Sequence, residues 1–139
     1  MAMKPLPASD NAFVLRTDFS DQGAWDAIIA EMAKPVDGFY PYVNLVDDPA
    51  YDGLTKTQIL ELFGHEKHYF VIVADRKAME DPEHPLLVIH LADEEGQEFR
   101  TLPRGVQSIE NNLSLRNMDF EEFANAAGED GVFRGFPRY

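Results

Sequence analysis

The sequence predicts an α/β fold, a three-layer sandwich whose mixed, mostly parallel sheet has about five strands. Strand-like and helix-like segments alternate through the first half of the chain, which is typical of parallel strands joined by crossover helices. Residues 69–74 are six consecutive apolar residues followed by Asp75. A run that short, without a polar gap, is typical of an inner strand covered on both faces, so we expect it in the middle of the sheet.

The first two segments are a strand and an amphipathic helix. Residues 13–15 are apolar and predict a short strand. Apolar side chains then recur with a spacing of i, i+3, i+4 and i+7 from Trp25 to Met32, which is one face of a helix. Ser20 directly precedes this helix and Asp21 falls in its first turn, where a negative charge suits the helix dipole.

A second strand and a second helix follow a loop rich in aromatic residues. The loop spans residues 35–42, and its aromatic side chains form either a lid over the core or a binding surface. Residues 43–46 predict the second strand. Thr55 and Gln58 have the spacing of a capping box, so a helix begins there and ends near Gly64.

The second half of the chain predicts a hairpin rather than another crossover. After the inner strand, residues 76–85 form a polar connection with a helical turn. Residues 86–91 and 98–102 are strand-like and are separated by a short link that contains glycine, which favours an antiparallel pair. Pro103 is expected to open the third helix.

The last predicted helix is followed by apolar residues that should pack on the core. Asp119 and Glu122 have the spacing of a second capping box. Phe133 and Phe136 come after the helix and are expected to dock against the sheet. The order of elements is therefore β-α-β-α-β, a β-hairpin, and two helices.

Length and composition indicate one acidic domain. The chain has 139 residues, and we expect residues 1–10 to be a flexible leader and residues 11–139 a single α/β domain. There are 25 Asp and Glu residues against 12 Lys and Arg, a net charge of −13. This charge disfavours nucleic acid and anionic membranes as partners and favours a basic protein.

The absence of cysteine removes one group of functions from consideration. Without thiols the chain has no disulfide, no thiolate metal site and no cysteine nucleophile. The N-terminal residues lack the apolar core of a signal peptide, and no apolar run approaches the length of a membrane span. We therefore expect a cytoplasmic protein.

Three predicted strands end in carboxylates. Asp18 follows the first strand, Asp47 and Asp48 follow the second, and Asp75 follows the inner strand. In a parallel sheet these ends meet at one edge, where open α/β sheets bind ligands. Asp18, Asp48 and Asp75 could there share Mg²⁺ or Ca²⁺, both of which take oxygen ligands, whereas the alternative is that each aspartate only caps a turn. The sequence predicts no other cofactor.

Several segments resemble a family of uncharacterised proteins found mainly in actinobacteria, a domain of unknown function. The first is Asp-Asp-Pro-Ala-Tyr-Asp-Gly-Leu-Thr at residues 47–55. The others are VLRTDFS at 14–20, PEHPLL at 82–87, SIENNLS at 108–114, NMDFEEF at 117–123 and DGVFRGF at 130–136. The resemblance covers nearly the whole chain, which agrees with a single domain, and it implies no activity and no catalytic residues.

Three functions remain open from the sequence. The first is a non-enzymatic binding module, similar to an inhibitor or immunity protein, that engages a basic partner through Asp18, Asp47, Asp48, Tyr51 and Asp75. The alternative is a divalent-cation-dependent enzyme that uses the same carboxylates at the C-terminal edge of the sheet. The sequence favours the module over the enzyme. A third arrangement is an interaction domain whose partner meets the aromatic loop.

Overall fold

The computed structural model describes residues 4–35, 38, 40–64, 68–92, 96–115 and 118–135. The strands within these residues are β1 (Ala12–Arg16), β2 (Val43–Val46), β3 (Phe70–Ala74), β4 (Leu86–His90), β5 (Glu98–Thr101) and β6 (Val132–Phe133). The helices are α1 (Gln22–Met32), α2 (Lys56–Leu62), α3 (Arg76–Glu80), α4 (Val106–Ser114) and α5 (Phe120–Ala126). Two 3₁₀ turns, Pro49–Tyr51 and Pro103–Gly105, complete the described elements.

The six described strands form one mixed sheet in the order β2-β1-β3-β4-β5-β6. Strand β1 pairs in parallel with β2 and with β3, and β5 pairs in parallel with β6. Strand β4 is antiparallel to both of its neighbours, so it alone among the described strands runs against the others. The predicted mixed, mostly parallel sheet is confirmed, with β3 inside it and β4–β5 as the predicted antiparallel pair.

Side chains of the sheet alternate between two buried clusters, which makes three layers. Val14, Ile72 and Val88 face one cluster, where α1, α4 and α5 contribute Trp25, Ile109 and Phe123 among others. Leu15, Val71 and Ile89 face the other cluster, which holds Ile59 of α2. Because helices cover both faces of β3, all five of its residues are buried, as its unbroken apolar run predicts.

Several element boundaries differ from those predicted. Asp21, rather than Ser20, is the N-cap of α1, and its carboxylate accepts a hydrogen bond from the Ala24 amide at 3.0 Å. The third predicted helix begins at Val106 as α4, because Pro103–Gly105 forms a 3₁₀ turn first. The helical turn expected in the polar connection is α3, whose N-cap is Asp75.

One predicted capping box is confirmed and the other is wrong. Thr55 accepts from the Gln58 amide at 3.2 Å, and the Gln58 side chain accepts from the Thr55 amide at 2.9 Å. Asp119 is the N-cap of α5, but its side chain makes no capping hydrogen bond. The spacing of Asp119 and Glu122 therefore marks the start of the helix without forming the reciprocal bonds.

The two ends of the chain contact the domain where they are described. Leu6 packs against the second cluster, and the carbonyl oxygens of Lys4 and Pro5 lie 2.9 and 3.0 Å from the Tyr51 hydroxyl. Phe133 belongs to β6 and is 1% exposed, which confirms its predicted docking. Phe136 lies outside the described residues, and a flexible leader over residues 1–10 stays a prediction.

No helix within the described ranges is long and apolar enough to cross a membrane.

Candidate functional site

The ends of β1, β2 and β3 meet at one edge of the sheet, as the parallel pairing requires. Leu15 pairs with Val46 and Arg16 with Ala74, so the residues that follow these strands are neighbours. The edge is closed further by Thr17, whose amide donates to the Ala74 carbonyl at 3.0 Å and whose carbonyl accepts from the Gly53 amide at 2.7 Å. Asp18, Asp47, Asp48 and Asp75 therefore lie along one edge.

A buried arginine lies beneath the ends of β1 and β2. Arg16 is 2% exposed, and its Nε donates to the Asp18 carbonyl oxygen at 2.9 Å. Its Nη1 donates to Asp47 Oδ1 at 3.1 Å and to the Gln22 side chain at 3.0 Å. The other oxygen of Asp47 accepts from the Trp25 indole at 3.2 Å. Asp47 therefore serves as the counter-ion of a buried cation, although almost half of its side chain is exposed.

A second arginine neutralises the carboxylate at the end of β3. Arg100 on β5 donates from Nη1 to Asp75 Oδ1 at 2.9 Å and from Nη2 to Asp75 Oδ2 at 2.8 Å. Two parallel hydrogen bonds of this kind are the strongest geometry for a carboxylate–guanidinium pair. Arg100 also donates to the Pro85 carbonyl, and Asp75 accepts from the Ala78 amide as the N-cap of α3. The pair thus joins β3, α3 and β5.

The remaining two carboxylates are used in local structure. Asp48 accepts from the Ala50 amide at 2.9 Å and forms an ion pair with Lys4. The hydrogen bond from Lys4 is the main reason that the pKa of Asp48 lies below its usual value. Asp18 accepts from the amide and the hydroxyl of Ser20, which is the arrangement of an Asx turn.

Tyr51 does not face a partner in this structure. Its side chain is 1% exposed and packs in the second cluster. Burial raises the pKa of the Tyr51 hydroxyl, which points at the carbonyl oxygens of Lys4 and Pro5. We therefore leave Tyr51 out of the binding surface that the sequence predicted, because its ring holds the N-terminal segment onto the core.

The carboxylates at this edge are arranged as counter-ions and caps. No group of three or more His, Asp or Glu side chains in the described ranges lies close enough together to hold a metal ion. The partners that sequence reasoning missed are Arg16, Arg100 and Lys4. Arg16 carried a usable signal, since a cation directly after the buried strand residues 13–15 needs a nearby carboxylate.

An exposed apolar patch lies beside the edge strand β2. Tyr40 and Tyr42 are 57% and 73% exposed, and Leu45 is 41% exposed. Tyr40 and Leu45 also line a groove of about 360 Å³ together with Ile29 and Met32 of α1. The exposure rules out a lid for the described part of the aromatic loop. Phe39, which also belongs to the loop at residues 35–42, lies outside the described residues.

A comparison with protein families shows which family the chain belongs to. A family model described as a domain of unknown function (DUF6924) matches residues 11–136. The match covers most of the chain, and the protein belongs to this family. A comparison with curated proteins found no match. The fold and the family therefore define an α/β domain whose activity has to be argued from its own residues.

Proposed function

We propose that the protein is a cytoplasmic, non-enzymatic binding module that engages a basic protein partner through acidic surface residues. The observation that carries the proposal is that most of the described Lys and Arg residues form ion pairs within the chain. Of the 12 Lys and Arg residues, Lys67, Arg116 and Arg138 lie outside the described ranges. Seven of the other nine form ion pairs within the chain, so few of them remain to attract an acidic partner.

One acidic surface without a described counter-ion is the start of α5. Asp119, Glu121 and Glu122 are exposed and form no ion pair with any other described residue. Asp47 and Asp48, by contrast, each have a cation beside them. The structure therefore favours α5 as the part of the surface that attracts a basic partner over distance, with Asp47 and Asp48 as secondary contacts.

A pull-down from the source cell followed by kinetics tests the proposal. The captured partner is expected to be basic, and its association rate should fall about ten-fold or more as NaCl rises from about 50 to about 500 mM. Glu121→Lys with Glu122→Lys should slow association more than Asp47→Asn with Asp48→Asn. An association rate that does not change with salt would remove the proposed electrostatic steering.

A second candidate is an interaction domain that binds through the apolar patch of Tyr40, Tyr42 and Leu45. The exposure of these three side chains favours it, since large exposed apolar residues are common in protein interfaces. Tyr40→Ser with Tyr42→Ser separates the two candidates. Loss of partner capture in this variant, with normal capture after charge reversal on α5, would select the apolar patch.

The divalent-cation-dependent enzyme raised by the sequence has no specific observation in its favour. The carboxylate of Asp18 accepts a hydrogen bond from Ser20, and those of Asp48 and Asp75 form ion pairs with Lys4 and Arg100. Calorimetric titration with Mg²⁺, Ca²⁺ and Mn²⁺ tests it directly. A saturable heat that disappears in Asp75→Asn would reinstate the hypothesis.

A further inference from the structure

A cleft of about 400 Å³ lies at the C-terminal edge of the sheet, and its lining includes none of Asp18, Asp47, Asp48 and Asp75. It is bounded by α1, by the loop between α3 and β4, and by the 3₁₀ turn after β5. Its lining includes Ala27, Glu31, Glu83, His84, Leu102 and Arg104. The volume is within the range of small-molecule sites, and the cleft lies at the end of β5.

The charges in the cleft leave one cation without a partner. Glu31 pairs with Lys34 at 2.8 Å, and Glu83 pairs with Arg134 at 2.9 Å. The hydrogen bonds from Arg134 hold the pKa of Glu83 below its usual value, so this carboxylate stays charged and neutralised. Arg104 is exposed and has no ion pair with any described residue. Its guanidinium is therefore available to an anion.

Arg104 is presented by a rigid turn. It lies between Pro103 and Gly105 in the 3₁₀ turn, which is closed by a hydrogen bond of 2.9 Å from the Gly105 amide to the Leu102 carbonyl. A Cβ on Gly105 would lie 2.4 Å from the Thr101 hydroxyl oxygen, so the turn sits directly on buried side chains. A cation on such a turn loses little backbone freedom on binding.

His84 lines the same cleft with a fixed tautomer. Its Nδ1 lies 2.9 Å from the Ala78 carbonyl oxygen. A carbonyl oxygen only accepts hydrogen bonds, so Nδ1 carries the proton, and in the neutral ring Nε2 presents a lone pair. The backbone of His84 has φ = +53°, a conformation that is uncommon for residues other than glycine and that clusters at functional sites.

We propose that this cleft binds a small hydroxylated molecule that carries an oxyanion, either a phosphate or a carboxylate. Arg104 pairs with the oxyanion through its planar set of donors. The Nε2 atom of His84 accepts a hydrogen bond from a hydroxyl group of the same molecule, and the apolar side chains of Ala27 and Leu102 contact its carbon atoms. The proposal goes beyond binding of a protein partner and uses none of the acidic residues of α5.

Titration by NMR with two probes tests the cleft. Glycerol 3-phosphate and glycerate share the hydroxyl groups and differ in the anion. We expect saturable shifts of the His84 ring and Arg104 signals with at least one probe, with a Kd below about 10 mM. Binding of one probe alone identifies the anion class, and binding of both supports the shared chemistry. No saturable shift with either probe would overturn the proposal.

Three variants separate a built site from diffuse attraction. Arg104→Gln should weaken binding about ten-fold or more, as expected when a charged hydrogen bond is lost. Lys77→Gln is the matched control, because Lys77 is an exposed cation of α3 without a described ion pair and does not line the cleft. His84→Asn keeps an amide N–H that can donate to the Ala78 carbonyl oxygen, and Asn tolerates the positive φ. It removes Nε2, the proposed acceptor for the ligand hydroxyl, and should therefore also weaken binding. Equal losses in Arg104→Gln and Lys77→Gln would contradict the proposal.

Discussion

Asp75 and Arg100 form a pair that is mostly buried, which gives a sharp test at the scale of single residues. Their side chains are 25% and 18% exposed. Asp75→Asn keeps an oxygen that can cap α3 but removes the charge that Arg100 faces. We expect a loss of about 2 kcal/mol in the free energy of unfolding, because a largely buried guanidinium loses its counter-ion. Urea denaturation followed by circular dichroism measures it.

The control for this prediction is Asp48→Asn. Asp48 pairs with Lys4, whose side chain is 58% exposed, so water can solvate the Lys4 ammonium group once the carboxylate charge is removed. We expect a clearly smaller change than for Asp75→Asn. Equal effects of the two variants would show that the Asp75–Arg100 pair is no more important to the fold than a surface ion pair.

Two glycines should respond differently to the same substitution. In Gly105→Ala the new methyl group would meet the Thr101 hydroxyl oxygen at 2.4 Å and the Phe133 ring at 3.3 Å, and both of these residues are buried. We expect a loss of about 1–3 kcal/mol from overpacking. In α1, the nearest atom to a Cβ on Gly23 is Asp21 Oδ1 at 3.4 Å, so Gly23→Ala should leave stability unchanged or raise it by about 0.5 kcal/mol. Thermal unfolding of both variants is the measurement.

At the scale of elements, the caps of α1 and α5 differ although both residues are aspartates. Asp21 accepts a hydrogen bond from the Ala24 amide, whereas the Asp119 side chain makes no capping bond. Asp21→Ala should therefore cost about 1 kcal/mol, and Asp119→Ala should cost less. Chemical denaturation of the two variants measures both losses in the free energy of unfolding. A larger loss at Asp119 would mean that its carboxylate caps α5 in solution.

The elements that were predicted from sequence are those with a local pattern. The inner strand β3, the helix α1 and the Thr55 capping box each depend on residues close together in the chain. Strand β6 has only two residues, Val132 and Phe133, which is too short for any periodicity. Its pairing with Arg100 and Thr101 involves residues that are distant in the chain, so the sequence predicted only that Phe133 docks on the core.

The candidate site was predicted only in part for the same reason. Asp18, Asp47 and Asp75 lie at one edge because their strands are parallel, and the structure confirms that β1 is parallel to β2 and to β3. Their counter-ions are separated from them in sequence, since Arg16 and Asp47 are 31 positions apart and Asp75 and Arg100 are 25 apart. Pairs of that separation have no fixed sequence spacing, so the sequence predicted either a shared cation site or separate turn caps and did not predict the ion pairs with Arg16 and Arg100.

At the scale of the whole molecule, the stability should be greatest at mildly acidic pH. Hydrogen bonds from Lys4 and Arg134 lower the pKa values of Asp48, Glu83 and Asp130 in the folded state. The stability they contribute is present above their ordinary values of 3.8 to 4.5 and is lost as pH falls below them. The net charge of −13 acts in the opposite direction, because self-repulsion weakens as pH falls from 7 towards the isoelectric point near 4.5.

Glu110 adds to the rise in stability between neutral and mildly acidic pH. Its side chain is buried, and burial raises its pKa above 4.5 although the Tyr42 amide and the Ser114 hydroxyl donate to it. Because the folded state binds this proton more readily than the unfolded state, stability falls as pH rises through the folded pKa.

Urea denaturation from pH 4 to 8 should therefore show a maximum at about pH 5–6. Glu110→Gln should reduce the fall in stability above pH 4.5 more than Glu121→Gln, which removes the same charge from an exposed position. Equal slopes in the two variants would show that overall charge, rather than the buried carboxyl of Glu110, governs the decline.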